Sequence, residues 1–294
     1  MQSAFLNYLK AVLWFVLSLV VSCGNDAITK YTGTHISPWQ VAYFRCLFGT
    51  LSLLPLMLYH GPVAFKTTRY WLHLLRGGLL FIAISLWSYG VKAVPMTTTA
   101  LISFTIPIFV LLLAPIFLQE RVKWTLWLAT LICFGGIVLA LQPSHQSFHS
   151  ASLSLLLASL SFGLLDILNK KYITQESMLC TLFYATLIAT VLLAVPALYA
   201  GPMPTGPTLA WLLVLGISNN LILYFVLRAF ALASASALAP FRYLELLIAA
   251  GVGYVFFQEL PTSHTYLGAA LIMPCTLLVM YSTKHSSERQ KLGG

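Results

Sequence analysis

The sequence predicts an all-α integral membrane protein with ten transmembrane helices, from its composition, its long apolar windows and its charge distribution. Of the 294 residues, 59% are hydrophobic and only 8% are charged. The mean hydropathy is +0.88. A soluble domain is about half apolar and about a quarter charged. Each apolar window is expected to be a helix, because backbone amides that face lipid must be satisfied within their own segment.

The apolar windows divide into five in each half of the chain, and each is close to the ~20 residues that cross a bilayer core. In order they cover 9–30, 39–59, 71–92, 97–118, 124–142, 152–171, 178–200, 208–229, 235–257 and 264–282. The connections are short and rich in Gly and Pro, so none is expected to hold a soluble domain. The first window lacks a small-residue cleavage site and nine more follow it, so we interpret it as a retained span.

The basic residues predict the orientation of these spans. With the N-terminus in the cytoplasm, eleven Lys and Arg lie on the cytoplasmic side, and only Lys30 and Lys92 lie on the other. This asymmetry follows the positive-inside rule and places both termini in the cytoplasm, with a cytoplasmic tail over 284–294. The net charge of +9 is thereby explained by topology. No basic stripe with interleaved aromatic residues lies outside the spans, so no nucleic-acid partner is expected.

Two short echoes indicate an internal duplication. The Asp-x-x-x-Lys spacing at 26–30 recurs at 166–170, and the Gln-Glu pair at 119–120 recurs at 258–259. The two offsets differ by one residue and are close to half the chain. We therefore predict a first five-helix repeat over 1–143 and a second over 144–283.

Five spans is an odd number, so the second repeat is predicted to cross the membrane in the opposite sense to the first. Inverted repeats with a binding site near the midplane are a frequent plan among secondary transporters, which work by alternating access. The sequence has no Walker-type glycine loop. Its seven histidines show no catalytic or metal-binding spacing, so neither an enzyme nor a cofactor or metal site is expected.

Ionisable residues inside the predicted spans are the first candidates for a transport pathway, because each costs about 2.5–3.5 kcal/mol on insertion scales. Asp26 and Asp166 occupy matching positions in the two repeats, and Asn25 precedes the first of them. Glu245 follows Arg242 by one helical turn, where the two charges can neutralise each other. The alternative is that the intramembrane acids and bases pair only to lock helices together. The bases inside spans are Arg45, Arg76 and Arg242.

Other polar positions allow two interpretations each. Asn219 and Asn220 interrupt the eighth span, either as interhelical hydrogen-bonding groups or as substrate contacts. Pro107 and Pro240, in counterpart spans, each leave a carbonyl without its helical donor, either at a hinge or at a simple kink. Glu120 lies near a span end, where we expect it to cap a neighbouring helix or to hold a loop.

Aromatic side chains inside the spans are further candidates. Trp87 and Tyr89 lie toward the far end of the third span. Together with Phe104 and Phe162 they can form an aromatic wall that stacks a planar ring or receives a cation. Ordinary packing is the alternative for each of them.

Several stretches resemble the drug/metabolite transporter superfamily, in its EamA-type ten-helix branch. They are "QVAYFRCLFG" (40–49), "SYGVKAVPMTTTALISFTIPIF" (88–109) and "APFRYLELLIAAGVGYVFFQELPTSHTYLGAALI" (239–272). More closely, "WFVLSLVVSCGNDAITKYTGT", "LLDILNKKYITQESM" and "PFRYLEL" resemble the S-adenosylmethionine transporters of obligate intracellular bacteria. The likeness covers nearly the whole chain.

The resemblance implies an antiporter of the bacterial inner membrane that takes up S-adenosylmethionine in exchange for S-adenosylhomocysteine. Asp26 or Asp166 is then expected to meet the sulfonium or the ammonium group, and Arg242 the carboxylate. The asparagines would bond the ribose or adenine, and Trp87 or Tyr89 would stack on the ring. The full set expected to bind substrate is Asn25, Asp26, Trp87, Tyr89, Phe104, Phe162, Asp166, Asn219, Asn220, Arg242, Tyr243 and Glu245.

Two other functions stay open at this point. The same inventory would serve an exporter of amino acids, cationic drugs or related metabolites, because the charge distribution fixes topology and not the direction of flux. A membrane scaffold or sensor without transport is the more remote alternative. The expected partners are a small-molecule substrate and the lipid bilayer, and a monomer is compatible with the sequence.

Overall fold

The computed structural model describes residues 2–94, 96–120, 122–141, 150–257, 264 and 266–278. Over these residues the chain is a bundle of helices without a strand. Six of the helices are long and apolar enough to cross a membrane, and they correspond to predicted spans one to three and six to eight. They are α1 (Gln2–Gly33), α2 (Pro38–Tyr59), α3 (Tyr70–Ala93), α7 (Ser150–Lys171), α8 (Met178–Leu198) and α9 (Pro207–Leu232).

The remaining helices are shorter. They are α4 (Met96–Ser103), α5 (Ile106–Phe117), α6 (Trp124–Leu141), α10 (Ala235–Leu238), α11 (Leu244–Phe257) and the apolar helix α12 (Tyr266–Leu278), with 3₁₀ turns at Pro62–Phe65 and Ala239–Tyr243. The predicted fourth span is thus divided into α4 and α5, and the ninth into α10, a 3₁₀ turn and α11. The tenth predicted span extends beyond the described residues, so the count of ten crossings stays a prediction.

Proline explains where the fourth and ninth spans are interrupted. Pro107 is the second residue of α5, and Pro240 is the second residue of the 3₁₀ turn that precedes α11. Proline has no N–H to donate but is well tolerated in the first turn of a helical segment, where that donor has no partner. Both prolines therefore mark a restart of the helix, in counterpart spans of the two halves.

The helices of the two halves pack in a reciprocal pattern. We define the first half as α1–α6 and the second as α7–α12. The α1–α9 pair is matched by α7–α3, and the α5–α7 pair by α11–α1, while α2 packs on its own counterpart α8. Exchanging the helices of these pairs for their counterparts in the other half gives the same pairs, as expected for a duplicated unit. The core of the bundle therefore lies between the halves.

Two charged side chains hold the joint between α9 and α10. Glu120 Oε2 accepts hydrogen bonds from the backbone N–H of Ser236 (3.2 Å) and from its hydroxyl (2.6 Å), which confirms the capping role expected of this carboxylate. Lys170 Nζ donates to the carbonyls of Phe230 (2.6 Å) and Ala233 (2.7 Å) at the end of α9. A cation at a helix C-terminus satisfies carbonyls that have no helical donor.

Candidate functional site

A central cavity lies between the two halves, with about 990 Å³ of empty space including its open mouth. Its wall is formed by α1, α2, α3, α7 and α9, and by both interrupted helices, which contribute Ser103 and Ile106 on one side and Arg242 and Glu245 on the other. Irregular backbone at membrane depth is tolerated where it lines a cavity or is buried in protein, and paired interruptions point to a binding site.

Helix α1 presents a polar face to the cavity. Ser18, Ser22 and Asp26 line it at intervals of four residues, a spacing that places side chains above one another on one helix face. The Trp87 indole lies beside the Asp26 carboxylate, and the charge of Arg45 on α2 also acts on this carboxylate. Asp26 therefore faces groups from two neighbouring helices.

Arg45 connects α2 to α9. Its Nε donates a hydrogen bond to Asn219 Oδ1 at 3.0 Å, and both residues line the cavity. Arg45 is buried, with 8% of its surface exposed. A buried guanidinium needs an acceptor and a compensating charge nearby; Asn219 supplies the hydrogen-bond acceptor, and the charge of Asp26 acts on the guanidinium.

A second charged pair faces the cavity from α7 and the interrupted ninth span. Arg242 Nη2 donates to Asp166 Oδ2 at 3.1 Å, and their side chains are 17% and 13% exposed. The Arg242 guanidinium carbon also lies 5.9 Å from the ring centroid of Phe15, which is within cation–π range. Both partners of this pair keep exposed atoms, so the pair can be reached from the cavity.

Glu245 is the third acid of the cavity. The Ser22 hydroxyl lies beside its carboxylate, which is near enough to Asp26 and Arg242 for all three charges to interact. With all groups ionised, the wall carries three carboxylates and two guanidinium groups, a formal charge of −1. Such a wall suits a ligand whose net charge is positive. A carboxylate on the same ligand can bind one of the guanidinium groups.

Seven of the twelve residues predicted to bind substrate line the central cavity. They are Asp26, Trp87, Phe162, Asp166, Asn219, Arg242 and Glu245. Trp87 and Phe162 meet edge to face, with ring centroids 6.0 Å apart, and they form the only part of the predicted aromatic wall that lines this cavity among the described residues.

The predicted asparagines Asn25 and Asn220 are not among the residues that line the cavity, because both are used in helix packing. Asn25 Nδ2 donates to the Leu215 carbonyl at 3.3 Å and to Ser218 Oγ at 2.7 Å. Asn220 Nδ2 donates to the Gly49 carbonyl at 2.6 Å and to a serine of α2 at 3.0 Å. These two asparagines join α9 to α1 and to α2.

The three other predicted residues, all aromatic, also lie outside the cavity lining. Phe104 and Tyr243 are buried in the core and stack on each other, with centroids 5.8 Å apart. Tyr89 is 53% exposed, because it follows Trp87 by two residues and so points about 200° around α3 from it.

Sequence reasoning left out four polar residues that the structure places in the wall. Arg45 was recognised as an intramembrane base but not as a binding residue, and Ser18, Ser22 and Ser103 were not singled out for binding. The four-residue spacing of Ser18, Ser22 and Asp26 is the signal that could have found the first two serines. Arg76, by contrast, lies elsewhere: it is 1% exposed and donates to Thr181 Oγ1 at 3.2 Å.

A second cavity adjoins the end of α1 that bears its C-terminus. It is lined by Thr29 and Gly33 of α1, by Ser88, Val91 and Lys92 of α3, and by residues of the α1–α2 connection and of α2. Thr29 and Val91 lie one helical turn beyond Asp26 and Trp87, respectively. This second cavity therefore lies beyond the central one, on the side that the topology prediction places outside the cytoplasm.

Comparison with known proteins gives matches over nearly the whole chain. The EamA-like transporter family matches twice, over residues 9–142 and 149–281. An S-adenosylmethionine uptake transporter of Rickettsia felis (strain ATCC VR-1525 / URRWXCal2) is 43% identical over 290 residues, 99% of both chains. A riboflavin transporter of Rhizobium johnstonii (strain DSM 114642 / LMG 32736 / 3841) is 31% identical over 271 residues, 91% of this chain and 90% of that one. A solved protein structure with 17% sequence identity superposes with a TM-score of 0.75, covering 97% of this chain and 99% of its own, and shares the fold alone.

Proposed function

The chain belongs to the EamA-like transporter family, and on that premise we propose that it takes up S-adenosylmethionine through the central cavity. Family membership and six membrane-crossing helices make it a multi-pass membrane transporter. Beyond this, we propose that the cargo is S-adenosylmethionine, that it moves inward in exchange for S-adenosylhomocysteine by alternating access, and that the protein lies in the bacterial inner membrane. Uptake is favoured over export by the relative of 43% identity, which is an uptake transporter.

The charge of the cavity wall carries the proposal. S-adenosylmethionine has a sulfonium cation, an ammonium group and a carboxylate, so its net charge is one positive unit. The wall has three carboxylates and two guanidinium groups, and its formal charge is the opposite of the charge of the cargo. Complementary charge inside a low-dielectric site favours this ligand over a neutral one of similar size.

The two charged pairs suggest how the cargo lies. The Asp166–Arg242 pair suits the amino-acid end, with Arg242 receiving the carboxylate and Asp166 the ammonium group. Asp26, with Glu245 beside it, then faces the sulfonium. The edge-to-face pair of Trp87 and Phe162 offers an aromatic surface for the adenine.

Exchange by alternating access is supported by the reciprocal packing of the two halves. An arrangement in which each helix pair has a counterpart gives two conformations of similar construction, one open to each side of the membrane. S-adenosylhomocysteine has the same amino acid, ribose and adenine, but no charge on sulfur. The same cavity can therefore bind both, with Asp26 and Glu245 distinguishing them.

Riboflavin is a second candidate cargo, because a riboflavin transporter is 31% identical to most of this chain. Its flavin ring would suit the aromatic pair. Riboflavin has no cationic or carboxylate group, so it would leave the formal charge of −1 on the wall without a counter-charge. Uncompensated charge in a buried site is costly, and this cost favours the sulfonium cargo.

Exchange in reconstituted vesicles tests the proposal. Purified protein is placed in liposomes loaded with S-adenosylhomocysteine, and labelled S-adenosylmethionine is added outside. We expect uptake that is faster than in unloaded proteoliposomes and resistant to excess riboflavin. Uptake no faster than in protein-free liposomes would reject the cargo, and competition by riboflavin as strong as by unlabelled cargo would favour the second candidate.

A further inference from the structure

Three side chains of metal-binding type meet outside the transport cavity, where α3 and α8 begin. His73 of α3, Glu176 of the α7–α8 connection and Cys180 of α8 each offer one ligand atom, and these atoms lie within 4.8 Å of one another. His73 Nε2 is 3.7 Å from Glu176 Oε2 and 3.8 Å from Cys180 Sγ. This is the one such group among the residues that the structure describes.

We propose that His73, Glu176 and Cys180 form a binding site for Zn²⁺ or a divalent cation of similar softness. Tetrahedral zinc binds His nitrogen and carboxylate oxygen at about 2.0–2.2 Å and thiolate sulfur at about 2.3 Å, which places ligand atoms about 3.3–3.6 Å apart. The two separations that involve His73 Nε2 are within a few tenths of an ångström of that range. Three protein ligands leave a fourth position for water or a further oxygen.

Thr67 places a hydroxyl beside these ligands. Its Oγ1 lies 3.1 Å from His73 Nε2 and donates a hydrogen bond to Glu176 Oε1 at 2.9 Å. The hydroxyl therefore either holds the carboxylate in place or lies next to a water on the ion. Supporting hydrogen bonds of this kind orient the ligands of metal sites.

Burial and charge also fit an ion. His73 and Cys180 are each 1% exposed, and the Glu176 side chain is 6% exposed, so these ligands lose little further entropy on binding. A carboxylate and a thiolate would neutralise a divalent cation, so the nearby guanidinium of Arg76 would face a neutral site. Arg76 is itself held by Thr181 and by the Leu168 carbonyl.

The ion would join the two halves of the bundle. His73 lies in the first turn of α3, in the first half, whereas Glu176 and Cys180 belong to the second half. One ion would therefore link the start of α3 to the α7–α8 connection and the start of α8. None of these residues lines the central cavity, and the inference stands apart from the choice of cargo. A ligand that binds only the folded protein raises its stability by mass action.

Titration of the purified, metal-stripped full-length protein with Co²⁺ tests the site, because a tetrahedral Co²⁺–thiolate centre has an intense visible spectrum and a sulfur-to-metal charge-transfer band. We expect one Co²⁺ per chain, displaced by Zn²⁺. The Cys180→Ala variant should lose the charge-transfer band, and the matched Cys46→Ala variant, with a buried cysteine of α2, should keep it. A wild-type protein without the band, or one whose band survives in Cys180→Ala, would overturn the proposal.

Thermal stability gives a second readout that does not require the cysteine variant to fold. Zn²⁺ should raise the melting temperature of the wild-type protein and leave that of the Glu176→Gln variant almost unchanged, because the amide is a poor zinc ligand. Equal shifts in the two proteins, or none in the wild type, would contradict a specific site.

Discussion

At the scale of single residues, helix phase decides which polar side chains serve the cavity and which serve packing. Asn219 and Asn220 are adjacent on α9 and therefore point about 100° apart. Asn219 accepts a hydrogen bond from Arg45 in the cavity wall, whereas Asn220 donates to the Gly49 carbonyl across the α2–α9 interface. The two asparagines thus offer a matched comparison of binding with packing.

We predict that Asn219→Ala impairs transport and that Asn220→Ala impairs stability. The first change leaves Arg45 without an acceptor in the wall, so the KM for S-adenosylmethionine should rise several-fold. The second removes two interhelical hydrogen bonds, and for each about 0.6 kcal/mol is typical in membranes and about 1.7 kcal/mol the maximum found. Uptake kinetics and thermal unfolding in detergent measure both effects, and equal losses of uptake in the two variants would contradict the assignment.

The Asp166–Arg242 pair allows structural and functional roles to be separated. We predict that Arg242→Gln lowers both stability and uptake, because it leaves a partly buried carboxylate unpaired. Removing one partner of a buried pair costs about 3–5 kcal/mol, whereas replacing both is often neutral. The Asp166→Asn/Arg242→Gln double variant should therefore regain stability but not uptake. Wild-type uptake by the double variant would show that the pair only locks helices.

The sequence identifies the acids of the cavity, but it does not show whether the polar and aromatic residues near them face the cavity or pack against another helix. A carboxylate inside an apolar span is costly wherever it points, so Asp26 and Asp166 stand out in the sequence alone. The sequence does not show which way the side chains of Tyr89 and Asn220 point, because their surroundings depend on which helix packs against each face of α3 and α9. That information is tertiary, and a single helical pattern does not contain it.

At the scale of elements, the interrupted helices and the close helix crossings shape the site. Pro107 and Pro240 marked the fourth and ninth spans as places for a hinge or a kink, because proline removes a helical donor, but the sequence alone does not predict a restart, since Pro55, Pro115 and Pro196 lie inside continuous helices. The sequence did not predict that the residues around both restarts would line one cavity. Close approach between helices is equally hidden, because it depends on which glycine faces a partner.

Two adjacent glycines of α3 test the helix packing. A Cβ at Gly77 would lie 2.5 Å from Ile188 Cβ, whereas a Cβ at Gly78 meets nothing within 4 Å. Gly77→Ala must therefore separate α3 from α8, and overpacking of this kind costs about 1–3 kcal/mol. Gly78→Ala should be neutral or stabilising, because alanine favours the helix by up to about 1 kcal/mol. Thermal unfolding of both variants checks this, and equal melting temperatures would contradict the packing.

At the scale of the whole molecule, the reciprocal packing of the two halves agrees with the duplication that the sequence indicates. The echoes at 26–30 and 166–170 lie on α1 and α7, which are exchanged when the halves are exchanged. The sequence could not give the interleaving itself, because adjacent spans within one half were equally plausible neighbours. The boundaries of the repeats and the direction of both termini stay predictions.

The proposed exchange moves charge across the membrane. S-adenosylmethionine enters with one positive charge and S-adenosylhomocysteine leaves with none, so a potential of 100 mV, inside negative, contributes about 2.3 kcal/mol to uptake. We predict that a potassium diffusion potential of that sign accelerates exchange in proteoliposomes. Rates that do not change between zero and negative potential would rule out charge-moving exchange.

The most direct test of the proposed role of the charged cavity is equilibrium binding of both nucleosides to the purified wild-type protein and its Asp26→Asn variant. Because Asp26 faces the sulfonium in the proposed orientation, affinity for S-adenosylmethionine should fall at least about tenfold, equivalent to about 1.4 kcal/mol. Affinity for S-adenosylhomocysteine, whose sulfur is neutral, should change much less. Unchanged affinity for S-adenosylmethionine in the variant would contradict the central claim that the acids of this cavity select the cargo.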